Sequence, residues 1–310
     1  MMRLGTIHFV SSSMRYTVSK QRDWLIGLFI AAGMIILIIL MITFASMRQT
    51  NEGVVLSSRG DKVAIVELMG PIYDSRSTVR QFKLYGEHAS VKAIVFRIDS
   101  PGGGVAAAQE IYETVRRIRD EGKPIVASMG SVAASGGYYV ACGTDTIMAN
   151  PGTTTGSIGV IAQFANLREL LDKVGVKFET IKSGRYKDTG SPYRDLTPMD
   201  RRHLQSWVDD AYQQFVNVVV QERGLSKSKV LNLADGRVFT GKQAYEEGLV
   251  DLLGDYQEAI RLAAMMGGIE GEPTVVKERR RRVTLFDLLF QQIEGILRGL
   301  SGMNIKYILY

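Results

Sequence analysis

The chain has 310 residues, of which 45% are hydrophobic and 23% charged, and its formal net charge is +6. This composition excludes a disordered chain and allows one large domain or two modest ones. The positive charge lies partly in an arginine run at residues 279–282 and in Arg15, Lys20 and Arg22 before a long apolar run. This placement favours membrane flanks and a solvated basic tail over nucleic-acid binding. The single cysteine, Cys142, excludes an internal disulfide framework and is predicted to be a small buried side chain.

The apolar run at residues 25–44, LIGLFIAAGMIILIILMITF, contains no charged side chain. A helix of this length covers about 30 Å, the thickness of the hydrocarbon core of a bilayer. The alternative is a signal peptide, whose apolar region is usually about 7–15 residues long and therefore shorter. We predict a cytoplasmic segment at residues 1–23, an uncleaved transmembrane anchor at 24–47 and a polar linker at 48–61. The basic residues before the run place the N-terminus in the cytoplasm and the remainder outside.

Beyond the linker, apolar runs of strand type alternate with segments of helical spacing. Strands are predicted at residues 63–70, 92–100, 123–130 and 176–184, with two short ones within 145–162. Helices are predicted at residues 105–122, 133–143, 166–175 and 198–222. This alternation predicts an α/β fold with largely parallel strands, whose active sites lie in loops after the carboxyl ends of the strands.

The glycine loop SPGGG, at residues 100–104, follows one such strand. It has neither the Gly-Lys-Ser/Thr of a phosphate-binding loop nor the spacing of a dinucleotide fingerprint. Adjacent glycines allow a ligand to approach the backbone, and free N–H groups at the start of the next helix are suited to stabilising an oxyanion. An ordinary strand-to-helix turn is the competing interpretation.

Ser135 has the same position relative to the next strand and helix, in the stretch SMGSVAASGGYYVACG at residues 128–143. Its neighbours are alanines and glycines, which would let a substrate backbone reach its hydroxyl. Ser135 is therefore a candidate nucleophile, although by this argument alone Ser128, Ser131 and Ser157 are candidates too.

A nucleophilic serine needs a base, and the three histidines do not supply an obvious one. His8 precedes the anchor, and His88 and His203 lie in polar helical contexts without a recognisable triad pattern. A lysine base would have to be neutral near pH 7, which requires a pKa about 3 units below 10.4, or about 4 kcal/mol. Burial in a dry pocket can supply this shift. Lys182 and Lys187, in a loop flanked by glycines and a proline, are the candidates.

Five motifs in order resemble the signal peptide peptidase A (SppA) family, the serine–lysine membrane proteases of the ClpP/crotonase-like fold. The resemblance covers roughly residues 63–262. The motifs are DSPGG at 99–103, ASGGYY at 134–139, GSIGV at 156–160, SGRYKD with SPYR at 183–194, and DGRVFTGKQAYEEGLVD at 235–251. The resemblance implies an α/β, ClpP/crotonase-like spiral of β-α units preceded by one N-terminal transmembrane helix. Residues 62–268 would form the Ser–Lys peptidase domain, and residues 269–310 a basic, amphipathic tail.

Matched motif by motif, the resemblance implies a role for each site residue. Ser135 would be the nucleophile, Lys187 the general base and Ser157 the hydroxyl that orients the lysine. The backbone N–H groups of Gly102 and Gly136 would form the oxyanion hole. No cofactor and no metal are expected.

The resemblance also implies how the protein assembles and where it acts. In this family the serine and the lysine meet across a subunit or repeat boundary, and this chain contains one copy. We therefore expect a homo-oligomer in which a neighbouring subunit supplies Lys187. The expected substrates are signal peptide remnants and other short hydrophobic peptides, at a single-pass location in the cell membrane with the peptidase domain extracytoplasmic.

Asp188 would raise the pKa of Lys187 if the two side chains met. Because successive side chains of an extended segment point to opposite sides, we expect Asp188 to point away.

Other functions stay open at this point. They are a stomatin-partner-type Ser–Lys protease with a specific membrane-protein substrate, a catalytically dead scaffold of the same fold, and the acyl-CoA chemistry of crotonase relatives. Intact Ser135 and Lys187 argue against the scaffold, and an outward-facing domain has no obvious supply of CoA. For the tail, three hypotheses compete: a partly disordered tail with one packing helix, a membrane-surface helix, and a terminal KYILY that enters an active site as a substrate mimic.

Overall fold

The computed structural model describes residues 60–278 and, before them, residues 24–29, 32–34, 36–38, 40 and 41. Contacts divide the chain after residue 53 into two units, which are described separately. The described positions of the first unit are helical and their side chains are exposed, Trp24 and Phe29 among them. Among the residues described, no helix has the length and apolar character that crossing a bilayer requires.

Several predicted segments lie partly or wholly outside the described residues. They are the N-terminal segment at 1–23, parts of the anchor at 24–47, most of the linker at 48–61 and the tail from residue 279 onward, including the terminal KYILY. The anchor, the linker and the three hypotheses for the tail stay predictions.

In the second unit, strands and helices alternate. In chain order they are β1 (Lys62–Met69), α1 (Arg76–Glu87), β2 (Val91–Ser100), α2 (Val105–Asp120), β3 (Ile125–Ala134), α3 (Gly136–Ala141), β4 (Thr146–Ala149), β5 (Thr154–Gly156), α4 (Arg168–Lys173), α5 (Pro198–Arg223), α6 (Lys227–Leu233), β6 (Val238–Thr240), α7 (Gly241–Glu246), β7 (Leu252–Leu253), α8 (Tyr256–Met266) and β8 (Thr274–Lys277).

The described strands form one sheet in the order β6-β5-β3-β2-β1-β8, and β4 joins it by pairing with β3 and with β7. Every pair of these strands is parallel except β5 with β6. The predicted α/β class with largely parallel strands is therefore confirmed. β8 lies beyond residue 268, where we expected the domain to end, and pairs with β1.

The sheet is covered by helices on both faces, which explains the continuous apolar sequence of β1. Ala64 and Val66 belong to a core cluster that includes buried side chains of α1 and α2. Val63 and Ile65 belong to a second cluster on the other face, with Ala259, Ile260 and Ala263 of α8. Burial on both faces requires apolar residues at successive positions and not only at alternate ones.

Cys142 follows α3 and is 1% exposed. Burial raises the pKa of its thiol to about 12, so the side chain is a neutral, packed group at physiological pH. The interpretation of Cys142 as a small buried residue is confirmed.

Candidate active site

Ser135 links the end of β3 to the start of α3 and has a backbone conformation that is unusual for a residue with a side chain. Its φ and ψ are 52° and −121°. Such conformations cost about 1–3 kcal/mol and cluster at functional sites. The backbone is held on both sides: the Ser135 N–H donates to Gly156 O at 2.8 Å, and its carbonyl accepts from Tyr139 N–H at 2.9 Å. The half-buried hydroxyl has no hydrogen-bond partner among the described residues, so it is free to meet a ligand.

The glycine loop at residues 100–104 packs directly against Ser135. A Cβ placed on Gly102, whose φ is +96°, would lie 2.6 Å from Gly136 N and 2.9 Å from Ser135 Cβ. Side chains do not fit at such distances, so only glycine allows this approach. Two further bonds hold the loop from the far side: Ile72 N–H donates to Gly102 O at 2.9 Å, and Gly104 N–H donates to Ile72 O at 2.8 Å.

Ser157 lies beside Ser135 because β3 and β5 are neighbours and end together. Ala134 is paired with Gly156 across these two strands. Ser157 is the other described non-glycine residue with positive φ, at 50°, and its N–H donates to Arg237 O at 2.8 Å. Both serines thus follow the carboxyl ends of adjacent strands, where an α/β fold places its chemistry.

Lys187 lies in the irregular segment between β5 and α5, and its side chain is exposed. Within the part of the chain that the structure describes, the Lys187 amine has no hydrogen bond or ion pair, to Ser135 and Ser157 or to any other residue. One copy of the chain thus brings Ser135, Ser157, Gly102 and Gly136 together but does not join Lys187 to them. Their catalytic roles stay predictions.

Lys182, the other candidate base, forms an ion pair: its Nζ donates to Asp188 Oδ1 at 2.6 Å. Asp188 also pairs with Arg194, so its carboxylate is turned to these two cations and not to Lys187, as expected. The expected cause, an extended backbone at Lys187 and Asp188, was wrong, however. Residues 183–190 form two bends followed by turns and not an extended segment, so ion pairing determines the direction of Asp188.

The segment between β5 and α5 exposes many apolar side chains. The predicted strand at residues 176–184 is absent there, and the chain is irregular apart from α4. Phe178 and Tyr193 stack with ring centroids 3.9 Å apart and line a cavity of about 250 Å³ beside α4, which none of the predicted site residues lines. The exposed apolar residues include Ile161, Leu170, Val174, Phe178 and Ile181.

An irregularity in β3 sets the direction of the strand just before Ser135, and the sequence analysis did not anticipate it. Ile98 of β2 is paired with Met129 of β3, but Ser100 is paired with Ala133, so β3 contains extra residues between the two pairs. The first half of β3 then pairs with β4 and the second half with β5. Such bulges redirect a strand and are common next to active sites.

Side chains satisfy the backbone groups that this bulge leaves unpaired. Val132 N–H donates to Asp99 Oδ1 at 3.1 Å, and Thr153 Oγ1 donates to Gly130 O at 2.7 Å. A Cβ on Gly130 would lie 2.8 Å from the Asp99 carboxyl carbon, so the carboxyl group packs against the bulge itself. Asp99, in the DSPGG motif, therefore supports the strand that ends at Ser135.

We expect Asp99→Ala to reduce the free energy of unfolding by about 1–3 kcal/mol, because it leaves the Val132 N–H without an acceptor in a half-buried position. Since the bulge directs the chain to Ser135, kcat should also fall while KM changes little. Denaturant unfolding and peptide hydrolysis by the detergent-solubilised full chain measure both effects. Asp99→Asn, which keeps the acceptor oxygen, should lose less. Equal losses in Asp99→Ala and the surface control Asp120→Ala would contradict this role.

Comparison with known proteins agrees with this arrangement. The family model described as peptidase family S49 matches residues 117–269, and that of Clp protease matches residues 49–155. A candidate protease of Synechocystis sp. is 46% identical over 215 residues, which are 69% of this chain and 77% of that protein. A candidate signal peptide peptidase SppA of Enterococcus faecium is 40% identical over 188 residues, 61% of this chain and 55% of that protein. The chloroplastic serine protease SPPA of Arabidopsis thaliana is 35% identical over 254 residues, 80% of this chain but 36% of that protein.

These similarities confirm the resemblance that the five motifs indicated. The Clp protease match covers the glycine loop and Ser135, and the S49 match continues through Ser157, Lys187 and the last motif. The chain therefore belongs to peptidase family S49, with the signal peptide peptidase A relatives, and is a serine protease.

Proposed function

We propose that this protein is a membrane-anchored serine endopeptidase that uses a Ser–Lys dyad to digest signal peptide remnants and other short hydrophobic peptides. The observation that supports it best is the strained Ser135, packed against the glycine loop at the end of a parallel strand, with a hydroxyl that no described residue binds. Strand–turn–helix placement of a strained serine is a common way to expose a nucleophile.

In the proposed reaction, the Ser135 hydroxyl attacks the peptide carbonyl while the neutral Lys187 amine takes its proton. Lys187 then donates this proton to the leaving amine, and water hydrolyses the acyl-enzyme with the same base. Ser157 orients the lysine by a hydrogen bond. The N–H groups of Gly102 and Gly136 stabilise the oxyanion, and their backbones already lie side by side next to Ser135.

The proposed active site is shared between neighbouring copies of the chain. Two observations support this part of the proposal. The Lys187 side chain is solvent-exposed in one copy, and a lysine that acts as a general base needs a dry pocket. The segment that contains Lys187 also exposes Ile161, Ile181 and other apolar side chains, as interfaces between subunits do before assembly.

The proposed location is a cell membrane, with the N-terminus cytoplasmic and the peptidase domain outside. The uncharged run at residues 25–44 and the basic residues before it support this topology. An anchor would hold the protease next to hydrophobic peptides that remain in the bilayer after their cleavage from secreted proteins.

Mixing two inactive variants tests the shared dyad. Ser135→Ala and Lys187→Ala, each of the full chain, should be inactive alone against a fluorogenic apolar peptide. Co-expressed in equal amounts, they should recover about a quarter of the wild-type rate, because random assembly pairs an intact serine with a neighbour's intact lysine at that frequency. A mixed oligomer without activity would contradict the shared site, and a wild-type oligomer that cleaves a polar peptide equally well would contradict the substrate class.

A further inference from the structure

The loop that contains Lys187 is folded into turns of defined geometry. Lys187 N–H donates to Gly184 O at 3.2 Å, and Thr189 N–H donates to Tyr186 O at 3.1 Å. Lys187 and Asp188 are therefore consecutive residues of a compact turn, which does not force neighbouring side chains to opposite sides as an extended strand does.

Two cations bind the Asp188 carboxylate on both oxygens. Oδ1 accepts from Lys182 Nζ at 2.6 Å and from Arg194 Nη2 at 2.9 Å, and Oδ2 accepts from Arg194 Nε at 2.8 Å. The Asp188 side chain is only 11% exposed. Two-pronged arginine–carboxylate contacts of this kind are directional and strong.

Arg194 extends the contact to a second carboxylate on α5. Its Nη1 donates to Asp200 Oδ2 at 2.6 Å, and Thr189 Oγ1 donates to Asp200 Oδ1 at 2.8 Å. Asp200 is buried and forms a capping box with Thr197 at the first turn of α5. We call Lys182, Asp188, Arg194 and Asp200 the charge cluster; its two acids and two bases balance, and it joins the Lys187 loop to α5.

The two carboxyl groups of the charge cluster stay ionised at all pH values near neutral. Hydrogen bonds from Arg194 and then from Lys182 hold the pKa of the Asp188 carboxyl well below its ordinary range, and Arg194 likewise lowers the pKa of Asp200. Carboxyl groups with lowered pKa values stabilise the fold above the ordinary Asp pKa of about 4, and this contribution is lost only as the pH falls further.

We propose that Arg194 and Lys182 are positioning residues that hold the Asp188 carboxylate inside the charge cluster and so prevent it from pairing with the Lys187 amine. This inference rests on the proposed role of Lys187 as general base. A carboxylate beside a lysine favours the charged ammonium form, which cannot accept a proton. The neighbouring residues Lys187 and Asp188 are compatible with a neutral base here because the Asp188 carboxylate is already paired.

Other charged groups near the loop can also influence the ionisation of Lys187, and the test has to distinguish their influence from that of Asp188. His203 of α5 stacks on Tyr186 with ring centroids 4.7 Å apart, so a titratable ring lies beside the loop. The charged and titratable groups of the segment between β5 and α5 are Arg168, Glu169, Asp172, Lys173, Lys177, Glu179, Lys182, Arg185, Tyr186, Lys187, Asp188, Tyr193, Arg194 and Asp195, and the first two turns of α5 add Asp200, Arg201, Arg202 and His203.

The test is the pH profile of kcat/KM of the full chain with a fluorogenic apolar peptide, whose acid limb reports the ionisation of the base. Arg194→Gln should move this limb to higher pH by about one unit, because Asp188 is released toward Lys187. The double variant with Arg194→Gln and Asp188→Asn should have its acid limb back at the wild-type pH. Asp188→Asn alone should move it to lower pH, because the charge cluster then carries a net positive charge that disfavours the Lys187 ammonium. Opposite shifts cannot result from a general loss of folded protein.

Arg201→Gln and His203→Gln are the controls. Arg201→Gln removes one exposed positive charge from the first turn of α5, next to Asp200, and should leave the acid limb in place. A limb that disappears in His203→Gln would belong to that histidine and overturn the inference. If Lys187→Ala keeps its activity, the proposed base is wrong and this inference falls with it. If Lys187→Ala is inactive but Arg194→Gln does not move the limb, the base stands and this inference alone is overturned.

Discussion

Ser135→Ala should abolish peptide hydrolysis, with a loss of at least about 10³-fold in kcat, while the oligomer still assembles. The substitution removes the hydroxyl of the residue whose Cβ packs against Gly102 in the glycine loop. Alanine meets the same backbone strain as serine at a φ of 52°, so the fold should lose little stability. Hydrolysis of a fluorogenic apolar peptide and labelling with a fluorophosphonate probe measure the loss, and size-exclusion chromatography of the detergent-solubilised chain measures the assembly.

The matched control is Ser131→Ala. Ser131 is exposed on the same strand, in the bulge, and its side chain forms no hydrogen bond with the residues that the structure describes. It should keep wild-type hydrolysis and labelling. A Ser135→Ala variant that still hydrolyses the peptide would assign the nucleophile to another serine, with Ser157 on the neighbouring strand end the next to replace.

Gly102→Ala should reduce kcat by about 10²-fold or more, because loss of a single oxyanion donor has that effect. The added Cβ would lie 2.6 Å from Gly136 N and 2.9 Å from Ser135 Cβ. These are backbone and nucleophile atoms that cannot rotate out of the way. The loop and the nucleophile turn must therefore separate, which misplaces both proposed N–H donors. Steady-state kinetics with the same peptide measure the effect.

Gly122→Ala distinguishes this collision from simple backbone strain. Gly122 follows α2 with a φ of +92°, close to that of Gly102, but no atom lies within 4 Å of a Cβ placed there. Its alanine variant should lose about 1–2 kcal/mol of stability and no catalytic rate. Equal kinetic effects in the two variants would show that the glycine loop has no special part in catalysis.

Elements whose burial follows the local pattern could be predicted from the sequence. β1 and β2 are covered on both faces and therefore read as continuous apolar runs, and the long α5 begins at a proline after a capping threonine. The strand expected at residues 176–184 fails for a different reason. Val176 and Phe178 alternate with polar residues as in a strand, but both are exposed, and none of the strands that the structure describes pairs with them. Strand pairing depends on distant segments, which local alternation does not reveal.

The candidate site was predictable to a similar extent. Small residues around Ser135 and the glycines after β2 indicate a place where backbone and ligand can meet, and the resemblance selected the roles. The choice between Lys182 and Lys187 could not be made from the residues alone. The resemblance implies Lys187, and the structure adds that Lys182 pairs with Asp188 through the turns of the loop, a contact that no local pattern reveals. Asp99 was overlooked because its role depends on a bulge in another strand.

The pairing of β8 with β1 has a consequence for biosynthesis. Lys62 of the first strand meets Thr274 of the last, so β1 has one unpaired edge until almost the whole domain has been made. Contacts between such distant residues form late and slow the folding of a chain. In the meantime an apolar parallel strand with an open edge is a template for aggregation. Chains truncated before residue 274 should accordingly be prone to misassembly even though every residue of the candidate site is present.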